Sequence, residues 1–163
     1  MINPETKLSE HFTLRELCKS DKHPEIYNVP PFEAVDNLTF VCQWLEKLRE
    51  AYNLRYPSAD GKEQPLKVNS GYRSRQLNHA VGGMPTSNHL TGKAVDIRCE
   101  GKDATERGIR AFRYATLLME ILLKEHKGWE EIIVERNGTS WWVHFAIAKD
   151  SKRRWLTVIN KTK

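Results

Sequence analysis

Three residues in this chain are of types that bind metal ions and sit where a fold can aim them together. In Ser87-Asn88-His89-Leu90-Thr91-Gly92-Lys93-Ala94-Val95-Asp96, a histidine in a polar turn precedes by seven residues an aspartate in an apolar run. Side chains of an extended Ala94-Val95-Asp96-Ile97 alternate, so with Val95 and Ile97 turned to a core, Asp96 points the other way. Strands disfavour aspartate, and a carboxylate there needs a cation or hydrogen-bond donors to offset its desolvation. Trp141-Trp142-Val143-His144-Phe145-Ala146-Ile147 repeats the pattern, with Val143, Phe145 and Ile147 on one face and Trp142, His144 and Ala146 on the other. Two histidines and one carboxylate make a three-ligand set with a fourth position left for water, the pattern of catalytic rather than structural zinc. His11, His23, His79 and His126 lack such a setting and read as ordinary surface or core groups.

The elements that must hold these residues are legible in outline. Thr13, with Glu16 three residues on, caps a short helix around Leu14–Leu17 inside an otherwise irregular arm over residues 1–31. Pro30-Pro31 starts a helix over about 32–52, whose Val35, Leu38, Val41, Leu45 and Leu48 recur at helical spacing. Residues 53–65, with Pro57, Gly61 and Pro65, read as a loop; 66–70 read as a strand, and 75–81 as a short helix closed by Gly82-Gly83. A strand is expected over 94–99. A second long helix follows Asp103, with Ile109, Phe112, Ala115, Met119, Leu122 and Leu123 as its apolar face. Two strands, 129–135 and 140–147, flank the hairpin signal Asn137-Gly138, and Trp155–Ile159 reads as one more strand. The fold class is therefore α+β: a small antiparallel sheet carrying the zinc site, flanked by helices, in one domain over 1–163.

The chain's 163 residues, 39% hydrophobic and 29% charged, fit such a domain. The net charge of +5 is spread along the sequence apart from Lys152-Arg153-Arg154 and the C-terminal lysines, and no basic run is interleaved with aromatics. No nucleic-acid partner is expected on that pattern. No apolar run approaches the roughly 20 residues of a membrane span, so no membrane partner is expected either. The three cysteines, Cys18, Cys42 and Cys99, are odd in number and widely spaced, which argues against both disulfides and a cysteine metal site. Met1–Glu5 lacks the basic and apolar regions of a signal peptide. The expectation is a reduced, monomeric protein, cytoplasmic as synthesised.

Ser70-Gly71-Tyr72-Arg73-Ser74, the segments Asn78–Gly83 and Ser87–Asp96, and Trp142-Val143-His144 together resemble the D-Ala-D-Ala metallopeptidase family. That family includes zinc D-alanyl-D-alanine carboxypeptidases, vancomycin-resistance dipeptidases and phage endolysins, and hedgehog signalling domains share its fold. Leu8–Leu17 is similar to the N-terminal arm of the phage-type members, so the resemblance spans about residues 8–148. It implies zinc on His89, Asp96 and His144, a substrate-binding arginine at Arg73, and a motif serine at Ser87. A guanidinium suits the arginine's task because it grips a carboxylate through paired hydrogen bonds. Ser87 either bonds substrate or shapes the turn.

The implied reaction is zinc-dependent hydrolysis of an amide in a peptidoglycan stem peptide, either D-Ala-D-Ala carboxypeptidase or L-Ala-D-Glu-type endopeptidase, on cell wall reached after lysis or delivery. The alternative is a non-catalytic zinc-containing module of a phage particle. Some family members carry a glutamate three residues before the last histidine, and others a histidine two before; here those positions hold Trp141 and Trp142. The phage-type pattern instead implies Glu135 as the general base. A two-residue Asn137-Gly138 turn would set Glu131 directly opposite His144, whereas a longer loop or bulge slides Glu135 towards Trp142. Glu135 is the expected base and Glu131 the second candidate.

Overall fold

The computed structural model describes residues 3–153 and the backbone of 156–160. Four helices and five strands follow one another as α1 (Leu14–Cys18), α2 (Phe32–Arg55), β1 (Lys67–Ser70), α3 (Arg75–Ala80), β2 (Ala94–Cys99), α4 (Ala104–Lys124), β3 (Glu131–Asn137), β4 (Ser140–Ala146) and β5 (Leu156–Asn160). A single 3-10 turn, Asn88–Thr91, precedes β2. The helix starts carry the expected caps. Thr13 Oγ1 accepts from the Glu16 amide, and Asp103 accepts from the Glu106 amide at 2.9 Å while the Glu106 carboxylate accepts from the Lys102 amide. Helix α2 continues to Arg55, so the loop expected from residue 53 starts three residues later.

The sheet order is β1-β2-β4-β3-β5. The first four strands are antiparallel; β5 adds to β3 in parallel, which makes the sheet mixed at that edge. Trp155, expected to open the last strand, lies outside the described residues, as do Arg154, Lys161 and Lys163 of the basic C-terminal end. No helix among the described residues is long and apolar enough to cross a membrane.

Helices α2 and α4 pack on each other, and α4 packs on β2, β3 and β4. Between them lies the core: Leu38, Val41, Leu45 and Leu48 of α2, Val95 and Ile97 of β2, Ile132 and Val134 of β3, and Val143 and Phe145 of β4, all fully buried. The opposite face of the same strands carries the polar residues. The cysteines are unpaired, and burial pushes all three thiols up to about 12, which leaves them as inert packing groups.

Two expectations are corrected. The buried stripe of α4 runs through Gly108, Ala111, Tyr114, Ala115, Leu118 and Leu122, whereas Ile109, Phe112 and Leu123 are almost half exposed. The cause is Trp141, which sits on the helix-facing side of β4: a Cβ on Gly108 would stand 3.1 Å from its indole, so small residues must face it. Phe112 is pushed to the rim, with its ring centroid 6.2 Å from that of Trp141.

The second correction is the hairpin register. Asn137 pairs with Ser140, so the two-residue turn is Gly138-Thr139, not Asn137-Gly138. Gly138 has φ +60° and Thr139 has no positive φ, which is the type II′ arrangement, with glycine in the first turn position. Glu135 consequently pairs with Trp142, Ile133 with His144, and Glu131 with Ala146.

Candidate metal centre

Asp96 and His144 are direct neighbours across β2 and β4, and Ser70 of β1 pairs with Asp96 on the other side. Alternation puts Asp96 and His144 on the face away from α2 and α4, together with Ile133 of β3, and the bulge between Val68 and Ser70 brings Ser70 to the same face. The third donor comes from the 3-10 turn. Ser87 caps that turn by accepting from the His89 amide at 3.3 Å, and Gly92 closes it at φ +71°. A Cβ on Gly92 would lie 2.4 Å from the Ala34 carbonyl oxygen, so glycine lets the turn seat directly on α2.

His89, Asp96 and His144 are all buried, and one ligand atom from each lies within 4.8 Å of the others. Their hydrogen bonds specify which atoms. His89 Nδ1 donates to the Gly71 carbonyl at 2.6 Å, which leaves Nε2, 3.3 Å from Asp96 Oδ1, as the free lone pair. His144 Nδ1 stands 3.0 Å from the same Asp96 oxygen, while its Nε2 is 2.8 Å from Glu131 Oε2. Three donor atoms thus converge, and the other nitrogen of each ring is held by a fixed oxygen. This is the second layer of contacts that metal-binding histidines carry. The donor set fits a divalent ion with nitrogen preference such as zinc.

The electrostatics agree. Burial alone would raise the Asp96 carboxyl, but His89 and His144 hold it well below the ordinary carboxylate range. Burial opposes charge on His144 too, yet Asp96 and Glu131 outweigh it and push its pKa up to about 9. The hydrogen bond from His144 lowers Glu131. The two carboxylates flank the imidazole of His144 and favour positive charge there, whether brought by a proton or by a cation.

Arg73 reaches the site from the segment after β1. Its Nη2 donates to Asp96 Oδ2 at 2.5 Å and its Nε to Ser70 Oγ at 2.8 Å, so it grips the carboxylate oxygen that faces away from the histidines. Among the described residues Nη1 has no hydrogen-bond partner. The Arg73 amide donates to the His89 carbonyl, tying this segment to the 3-10 turn. Arg73 and Ser87 line one groove of about 320 Å³ with Tyr72, Arg75, Thr86 and Leu90. The arm of residues 3–31 buttresses it: Asn28 donates to the carbonyls of Cys18 and Tyr72 and accepts from the Ser74 amide.

Glu135 is buried, and its Oε2 accepts from the Trp142 indole at 2.7 Å. Glu131 and Glu135 occupy the two positions diagonal to His144 on the same face, and Glu131 is the one in hydrogen-bond contact with the ring. Two contributors escaped the sequence reading, Asn88 and the Gly71 carbonyl. The carbonyl has no side-chain signal, and Asn88 declares itself only through its 3.2 Å bond to Glu131.

The profile of the family described as Peptidase M15 matches residues 10–131, about three quarters of the chain. No curated protein matches the sequence.

Proposed function

From the membership of this chain in the Peptidase M15 family of metallopeptidases, we propose that it hydrolyses an amide bond in peptidoglycan stem peptides, with zinc held by His89, Asp96 and His144. The observation that carries this reading is the convergence of His89 Nε2 and His144 Nδ1 on Asp96 Oδ1, with the remaining nitrogen of each ring committed elsewhere. Zinc bound there would supply Lewis acidity for the scissile carbonyl and lower the pKa of a water towards about 7.

The chain's own groups do the rest. Glu135 takes a proton from the attacking water as its oxygen bonds to the carbonyl carbon. It returns that proton to the amine nitrogen as the C–N bond breaks. Its burial and the Trp142 indole, which holds one carboxylate oxygen, support that role. Arg73 orients a substrate carboxylate through Nη1 while Nη2 steadies Asp96. Ser87 caps the turn under His89 and keeps its hydroxyl proton for a substrate carbonyl in the groove.

Mass spectrometry of purified peptidoglycan digested by the protein tests the reading and reports the bond cleaved. New amine termini are expected with the parent and none with His89→Ala. Zinc-loaded protein that releases no amine would refute hydrolysis and leave a non-catalytic zinc module.

A further inference from the structure

We propose that Glu131 is a positioning residue, the carboxylate that fixes the ring of His144 and sets how tightly the centre holds its metal. The inference rests on the zinc-site reading above. His144 must present Nδ1 to the centre, since that nitrogen faces Asp96 Oδ1 at 3.0 Å. Rotation of the imidazole or the wrong tautomer would withdraw that lone pair. Glu131 Oε2, 2.8 Å from Nε2, holds the proton on the far nitrogen and the ring in one orientation. A carboxylate in this position also raises the basicity of the ligating nitrogen.

The same oxygen accepts from Asn88 Nδ2 at 3.2 Å. Asn88 precedes His89 in the 3-10 turn, so Glu131 joins the turn that carries one ligand to the strand that carries another. This arrangement separates the two glutamates flanking His144 by task. The carboxylate bonded to the ligand ring orients it, and proton transfer stays assigned to Glu135, whose Oε2 accepts from the Trp142 indole.

Chelator-competition titration of the full chain with zinc tests the assignment on parent, Glu131→Gln, Glu131→Ala and Glu135→Gln, with the fold of each metal-free variant checked by circular dichroism. Glutamine keeps an acceptor but loses the charge, so zinc affinity should fall about 10-fold, and up to about 100-fold for alanine. Glu135→Gln should bind zinc as the parent does. At saturating zinc, Glu131→Gln should recover most of the parental kcat, and its cobalt-substituted form should show a shifted ligand-field spectrum. Unchanged zinc affinity in Glu131→Gln would overturn the inference; so would a zinc-saturated Glu131→Gln that stays about 100-fold down in kcat, the mark of a lost general base. The glutamine variant, an isostere, decides the matter if the alanine variant does not fold. A parent that binds no zinc would overturn the metallopeptidase reading and this inference together, which distinguishes that failure from the others.

Discussion

Replacing Arg73 with alanine separates its structural from its substrate-binding contribution. The change removes the bond from Nη2 to Asp96 Oδ2 and that from Nε to Ser70. The paired side chains are 15% and 12% exposed, well below the exposure of surface bridges worth about 0–1 kcal/mol. Stripping one partner from a fully buried pair costs about 3–5 kcal/mol, but Asp96 Oδ1 keeps both histidines beside it. The loss is therefore that of a charge-assisted hydrogen bond, about 1.5–3 kcal/mol. For a chain of this size each kcal/mol moves Tm by about 2–4 °C, so metal-free Arg73→Ala should melt about 3–12 °C below the parent. If Nη1 also holds a substrate carboxylate, a contact of the same strength disappears from the reaction, and kcat/KM should fall by roughly 10- to 150-fold. Lysine should restore part of the stability and little of the rate, because it lacks the planar fork. Calorimetry of the chelator-treated proteins and steady-state kinetics at saturating zinc give the two numbers. An unchanged melting temperature would refute the claim that Arg73 braces Asp96, and an unchanged kcat/KM would remove it from substrate binding.

Glu135→Gln should keep zinc content and melting temperature while reducing kcat by about 100-fold or more, as read from stopped digests of peptidoglycan fragments; full activity would dismiss it as the base. Gly92→Ala should lose stability by more than the roughly 1–2 kcal/mol of a left-handed non-glycine residue, because its Cβ also meets the Ala34 carbonyl oxygen at 2.4 Å; a denaturant titration matching the parent would contradict that packing. Burial alone would raise the Glu46 carboxyl, but its bonds to Ser9 Oγ and to the backbone and ring of His11 hold it below the ordinary value. A depressed acid stabilises the fold above its unfolded pKa, and that contribution is lost as the pH falls through its folded pKa. Amide protection factors in residues 3–13, taken against the intrinsic exchange rate at each pH, should therefore fall below about pH 4.3, and Glu46→Gln should show the low protection at every pH; identical profiles for the two proteins would refute the clamp.

Residues whose side chains carry alternation or capping chemistry are readable in the sequence itself. Asp96 and His144 interrupt apolar strands on the same parity, and Thr13 and Asp103 each precede a glutamate by three positions, so both the site-bearing face and the helix starts follow from local rules. What depended on distant partners was not readable. The buried side of α4 is set by where Trp141 lies, and Gly108 gives no hydrophobic signal of its own. The hairpin register turns on whether glycine takes the first or second turn position, a choice between II′ and I′ that the Asn137-Gly138 dipeptide biases the other way. That single choice decides which glutamate stands where, which is why two candidates for one role could not be separated along the chain alone.

Each donor of the centre is braced by protein. Gly71 holds His89, Arg73 holds Asp96, and Glu131 holds His144. Gly71 itself sits so close to α1 that a Cβ there would stand 2.3 Å from the Leu17 carbonyl oxygen. Small zinc domains that fold only around their ion spend binding energy on ordering the chain; here the template is paid for by packing. Assembly and arming are therefore separate events. On the proposed zinc reading, a chelator should empty the site and added zinc refill it with no loss of the folded circular-dichroism signal; loss of that signal on chelation would refute a pre-built centre.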